Sequence, residues 1–231
     1  MTTLLLATYK CAVPLAASVL LLGACSSGPK PPDWQVEAKD SMERSVAAYM
    51  EGNSRVEAAE LARARSELSR TGRADLLGTA ELLHCASRVA SLVFEPCAGF
   101  ESLRGDATQA QRAYADYLRG QVQPEGIPLL PQAQRAAAAG DAGAGALKSV
   151  ADPLSQLVAA GVLLQTGRAS PPVIALAIDT ASSQGWRRPL LAWLGVQALR
   201  AEQGGNAEEA ARLRRRMAIT QGSGLNVKGS P

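Results

Sequence analysis

The side chains best suited to chemistry are few. The chain has one histidine, His84, and it stands next to Cys85, with another cysteine at Cys97. A thiol beside an imidazole is the pairing of a cysteine nucleophile with its base. Neighbouring residues on a helix diverge by about 100°, so His84 and Cys85 do not face one another there. A Cys/His zinc site needs more ligands than the sequence offers nearby, and a single histidine excludes a multi-histidine metal centre. Cys85 and Cys97 therefore read as a disulfide, with two buried free thiols as the alternative. Pro96 breaks the chain before Cys97 and lets it turn back. Closing a loop of this size removes roughly 3 kcal/mol of unfolded-chain entropy in the simple model.

Two other groups carry charge in a pattern. Glu81, His84 and Arg88 form a strip at i, i+3 and i+7. Such a strip is able to act as a small acid–base group, but it reads here as helix-surface ion pairing. Arg212, Arg214, Arg215 and Arg216 form the strongest basic run and a candidate partner surface, for an acidic protein or anionic headgroups. The milder reading is that they complement a helix C-terminus, with Glu208 placed i+4 from Arg212.

The chain holds no G-x-S-x-G elbow, no P-loop, no G-x-G-x-x-G opening a helix and no H-E-x-x-H. A Ser–His–Asp triad would have to use His84. Acids are plentiful, but most lie beside arginines as on a solvated surface. The expectation is no catalytic set, no metal, no cofactor and no small-molecule substrate. A formal charge of +3 on 231 residues gives no sign of nucleic-acid binding.

These residues must be positioned by helices. Apolar residues make up 47% of the chain and aromatics only 4%. That is enough to bury a core, and it is the composition of packed helices rather than of a β-sandwich or barrel. Helices are expected at about 34–51, 54–70, 73–93, 106–119, 147–166, 171–183, 188–203 and 207–220, with a short Ala-rich helix near 132–139. The expected apolar positions of the first include Trp34, Val46, Ala47 and Met50. In the second, Leu61, Ala64 and Leu68 face inward, while Glu57, Glu60, Arg63, Arg65 and Glu67 form a mostly solvated face. The third is apolar nearly all round and should be central. In the segment 188–203, Leu190, Leu191, Trp193, Leu194 and Leu199 read as buried.

At the N-terminus, Lys10 precedes an uncharged run from Cys11 to Ala24, which suits an export signal and is short for a membrane span. The run ends Leu22-Gly23-Ala24-Cys25. This resembles the lipobox of bacterial lipoproteins. The resemblance implies cleavage before Cys25, lipidation of its thiol and acylation of its new amine. It also implies a membrane attachment through that lipid. Ser26 is not the aspartate that commonly retains such proteins at the inner membrane, so the outer membrane facing the periplasm is the implied address. Residues 26–32, Ser-Ser-Gly-Pro-Lys-Pro-Pro, are a semi-rigid tether. An exported chain meets an oxidising compartment, which favours the Cys85–Cys97 bond.

Tyr49–Leu68 and Ala198–Met217 each show a helix ending at Gly-Asn and an Ala/Glu/Arg-rich helix following. This resembles tetratricopeptide-type helical hairpins over about a third of the chain, although the full 34-residue signature is absent. The fold class expected is all-α, as antiparallel hairpins or an irregular bundle. The organisation expected is a signal at 1–24, a lipidated tether at 25–32, helical halves at 33–120 and 148–221, a Pro/Gly/Ala-rich joint at 121–147, and a loose tail at 222–231.

The functional expectation is a lipid-anchored periplasmic protein that binds another envelope protein or helps assembly, without catalysis. The rivals are a structural lipoprotein without a specific partner and an envelope enzyme acting on peptidoglycan. The first test is chemical. Mass spectrometry of the membrane-extracted N-terminal peptide should show a triacylated Cys25 with nothing before it; an unmodified Cys25 or another mature start refutes the assignment.

Overall fold

In a computed structural model, residues 30–140 and 143–222 are described. Among them the structure is all-α, without a strand. Eleven α-helices and one 3-10 helix follow in order. They are α1 (Asp33–Glu51), α2 (Ser54–Ser69), α3 (Ala74–Ala90), α4 (Ala98–Glu101), α5 (Gln109–Leu118), the 3-10 helix (Pro124–Leu129), α6 (Gln132–Ala139), α7 (Ala144–Lys148), α8 (Pro153–Gln165), α9 (Pro171–Ser183), α10 (Arg187–Gln203) and α11 (Ala207–Thr220). The count exceeds the sequence expectation because α4, α7 and the 3-10 helix are too short to leave a periodic signature.

Two hairpins share one turn design. The chain leaves α1 through Gly52 (φ +88°) and leaves α10 through Gly205 (φ +73°), a left-handed conformation that favours glycine. Asn53 then accepts from the Val56 amide at 3.2 Å, and Asn206 from the Glu209 amide at 3.1 Å. Each asparagine thus satisfies one otherwise orphaned helix donor. The helices α1 and α2 pack on each other along their length, as do α10 and α11.

The main core surrounds α3 and α8. Leu82, Ala86, Val89 and Ala90 of α3 join Leu157, Val158 and Val162 of α8. The segment 121–147 and the chain on both sides of it contribute to this one cluster, with Tyr117 before it, Leu130, Ala137 and Leu147 inside it and Trp193 after it. The two helices approach so closely at Gly161 that a Cβ there would lie 2.5 Å from the Val89 carbonyl oxygen. Trp193 of α10 is fully buried, and its indole donates to the Ala90 carbonyl at 3.1 Å. A second, smaller cluster joins Ala38, Met42, Leu61, Ala64, Leu68 and Ala80 of α1, α2 and α3.

Several sequence expectations change at element ends. The third helix stops at Ala90 rather than near 93, because Leu92 takes a left-handed φ of +62° and Val93 returns to the Arg88 carbonyl. The fifth starts at Gln109 rather than Asp106. Thr108 caps it with a reciprocal box in which Gln111 reaches back. The eighth starts at Pro153 rather than near 147, capped by Asp152, and residues 144–148 form α7 instead.

Some burial expectations also change. Ala47 is exposed, and α1 buries Ala38, Met42, Ala48, Tyr49 and Met50. Leu199 is 58% exposed because α11 covers the other side of α10. The tail from 223 onward lies outside the described residues.

Gly161→Val is expected to lower stability by about 1–3 kcal/mol, because the new side chain must push α8 off the Val89 carbonyl. Denaturant unfolding should show a lower midpoint while circular dichroism stays helical. An unchanged midpoint would mean the crossing is not tight.

Candidate functional site

Cys85 lies in α3, and Cys97 lies just before α4. Their Cα atoms are 5.8 Å apart and their sulfurs are at bonding distance. Both residues are buried. The connection pins the segment between α3 and α4, which Arg88 also grips through Glu95 at 2.7 Å. His84 points elsewhere, so the Cys–His pairing considered from the sequence is not assembled: its nearest charged partner is Glu57 of α2, at 3.6 Å. Cys25 and the tether up to residue 29 lie outside the described residues.

The strip Glu81–His84–Arg88 is paired between elements rather than along its own helix. Glu81 is only 4% exposed and takes a two-pronged contact from Arg65 of α2, at 2.5 and 2.7 Å. Gly99 leaves the space the Glu81 carboxylate occupies, since a Cβ there would overlap it. Glu57 was expected on a solvated face but is buried against His84, and its backbone carbonyl accepts from Ser45 of α1 at 3.1 Å. The period-3.6 pattern of α2 gave no sign of this, because α3 covers a second side of the helix. Each buried carboxylate therefore faces a basic side chain, and the arrangement locks α2 to α3. Among the described residues no group of His, Cys, Asp and Glu is placed to hold a metal.

The basic run on α11 divides. Arg212 pairs with Glu209 at 2.6 Å, not with Glu208 as the sequence spacing suggested. Arg214 reaches Glu202 of α10 at 2.5 Å. Arg215 and Arg216 carry the remaining charge of the run.

A concavity lies where the smaller core opens between α1 and α3. It encloses about 400 Å³ and is floored by Ala38, Met42, Leu68, Leu76, Ala80 and Leu83, with Trp34 at the first turn of α1. Thr79 and Leu83 also line a second hollow of about 490 Å³, walled by Tyr114 and Leu129. The two share the outer face of α3. Charges at the rim are self-paired: Lys39 with Glu43 at 3.1 Å, and Arg73 with Asp75 at 2.6 Å. The sequence showed apolar residues all round α3 but not which of them stay uncovered.

No family model, no curated protein and no solved structure matches this chain.

His84 supplies a pH test. Burial holds its folded-state value below the ordinary 6.5; Glu57 opposes that and Arg88 adds to it. The unfolded chain therefore takes up the proton first as pH falls. This group leaves stability unchanged at pH values where both states are neutral, and it lowers stability as pH drops below 6.5. In denaturant melts the wild type should lose more stability than His84→Asn between about pH 7.5 and pH 5.5. Equal losses would show that His84 is not buried as described.

Proposed function

We propose that this chain is a lipid-anchored helical protein at the periplasmic face of the outer membrane. In this reading it binds an apolar-faced helical segment of another envelope protein and carries out no catalysis. The observation that carries the reading is the groove between α1 and α3, where Trp34, Leu76 and Leu83 are half-buried above a buried Met42. A helix presenting residues at i, i+3, i+4 and i+7 matches a groove of this kind. Because the rim charges already have partners, the occupant is selected by apolar shape, not by strong charge. The placement of Glu57 and Glu81 also supports a non-catalytic reading. Both carboxylates are engaged by basic side chains and serve the α2–α3 contact.

The lipid anchor rests on the lipobox resemblance at Leu22–Cys25. Among the described residues no helix is long and apolar enough to cross a membrane.

A photo-crosslinking residue placed at Gln35, on the groove wall, is expected to trap one protein in intact membranes. Leu76→Glu should reduce that product by about tenfold, as loss of an interface anchor does. A melting curve checks that the variant remains folded. If Gln35 traps only what an anchored control traps, while the purified chain cleaves cell-wall fragments, the enzyme reading replaces this one.

A further inference from the structure

We propose that the hollow beside Arg187 and Arg188 binds a phosphate-type oxyanion, either free phosphate or the headgroup of a phospholipid. It is independent of the groove, lying where the α1–α2 turn meets the start of α10 and the end of α11. It encloses about 450 Å³, and its walls are Gly52, Ser54, Arg187, Arg188, Leu191 and Gln221. None of these is acidic.

Arg188 is fixed in place. Its Nε donates to the Tyr49 carbonyl at 2.7 Å and its Nη2 to the Ser54 hydroxyl at 2.8 Å. The guanidinium also lies over the Tyr49 ring, 4.3 Å from its centre. A guanidinium has five N–H donors, so these bonds leave several for a ligand. Arg187 lies across Gly52, where a Cβ would come within 3.1 Å of its Nη2.

Elsewhere on this surface an arginine commonly meets a carboxylate, as Arg44 meets Glu60, Arg73 meets Asp75 and Arg212 meets Glu209. Among the described residues, neither Arg187 nor Arg188 has such a partner. Two like charges thus share one hollow without compensation, which an anion relieves.

The donor set selects the shape of that anion. Guanidinium forks match the oxygen pairs of carboxylate and phosphate alike. The Ser54 hydroxyl and the Gln221 amide add donors from other walls of the hollow. A tetrahedral oxyanion has oxygens for more of these directions than a planar carboxylate has.

Calorimetric titration of the full-length chain, in phosphate-free buffer, tests the site with two probes. These are inorganic phosphate and dihexanoyl phosphatidylglycerol below its micelle concentration. The wild type should bind at least one of them. Arg187→Ala should weaken that binding by about tenfold, the loss of one charge-assisted contact pair. Its melting temperature should not change, because among the described residues Arg187 makes no side-chain hydrogen bond or ion pair. Arg187→Lys should restore part of the affinity, since it keeps the charge without the fork. Tighter binding of the lipid assigns the site to a headgroup, and tighter binding of phosphate assigns it to the free ion. Binding of neither probe by the wild type, or equal binding by Arg187→Ala, overturns the proposal.

Discussion

The crossing of α3 and α8 at Gly161 is the contact on which the other helices depend. Without a side chain at Gly161, α8 settles against the Val89 carbonyl. Ala86 and Ala90 of α3 and Ala160 of α8 are small members of the same core cluster. Helices that approach this closely gain many weak contacts per residue, and a void or an added methyl group is felt at once. The close approach also leaves the end of α3 available to Trp193. Its indole fills the space beside Ala90 and takes up that residue's carbonyl. Replacing such a side chain by alanine costs about 3–5 kcal/mol, so the position of α10 follows from the α3 end. The α10–α11 hairpin is then carried along with α10.

The α1–α2 hairpin is held differently. It meets α3 and α10, and polar contacts fix its register at both. On the α3 side, Arg65 reaches Glu81 and Glu57 reaches His84. On the α10 side, Arg188 takes the Tyr49 carbonyl at the last turn of α1. The Tyr49 ring is flanked by the Arg88 and Arg188 guanidiniums at 5.7 and 4.3 Å from its centre. An ion pair such as Arg65–Glu81 adds little net stability over apolar residues of similar size, but removing Arg65 leaves the buried Glu81 carboxylate stranded. The effect of these polar contacts is on orientation. They hold α2 against α3 and α1 against α10, while the smaller cluster stays open along Trp34, Leu76 and Leu83.

The helices were legible wherever two signals agreed. Gly52-Asn53 and Gly205-Asn206 combine a left-handed glycine with a capping asparagine, and both turns stand where the sequence put them. Pro171-Pro172 marked the start of α9 because proline suits a first turn. Legibility failed where tertiary contacts decide. Leu92 is a leucine in a conformation that favours glycine, so nothing local marked the end of α3. Glu57 looked like surface because its neighbours are charged, and only the arrival of α3 beside α2 buries it. The groove is the clearest case. Periodicity identifies which residues are apolar, but not which of them the remaining helices leave uncovered.

The two surfaces are distinguished by the kind of force each offers. The groove near Trp34 has paired charges at its edge and apolar side chains below, so an occupant gains mainly from removing apolar area from water. Such association responds weakly to ionic strength. The Arg187–Arg188 hollow holds two arginines with no carboxylate partner among the described residues, so its attraction for an anion is screened over about 10 Å at moderate salt. In the lipid-anchored reading, the nine residue-to-residue steps from Cys25 to Trp34 can reach at most about 32 Å. In that reading the tether keeps the chain near the bilayer, where other anchored proteins are concentrated in two dimensions. An effective concentration raised in this way lets a groove of modest depth hold a partner that it would release in free solution.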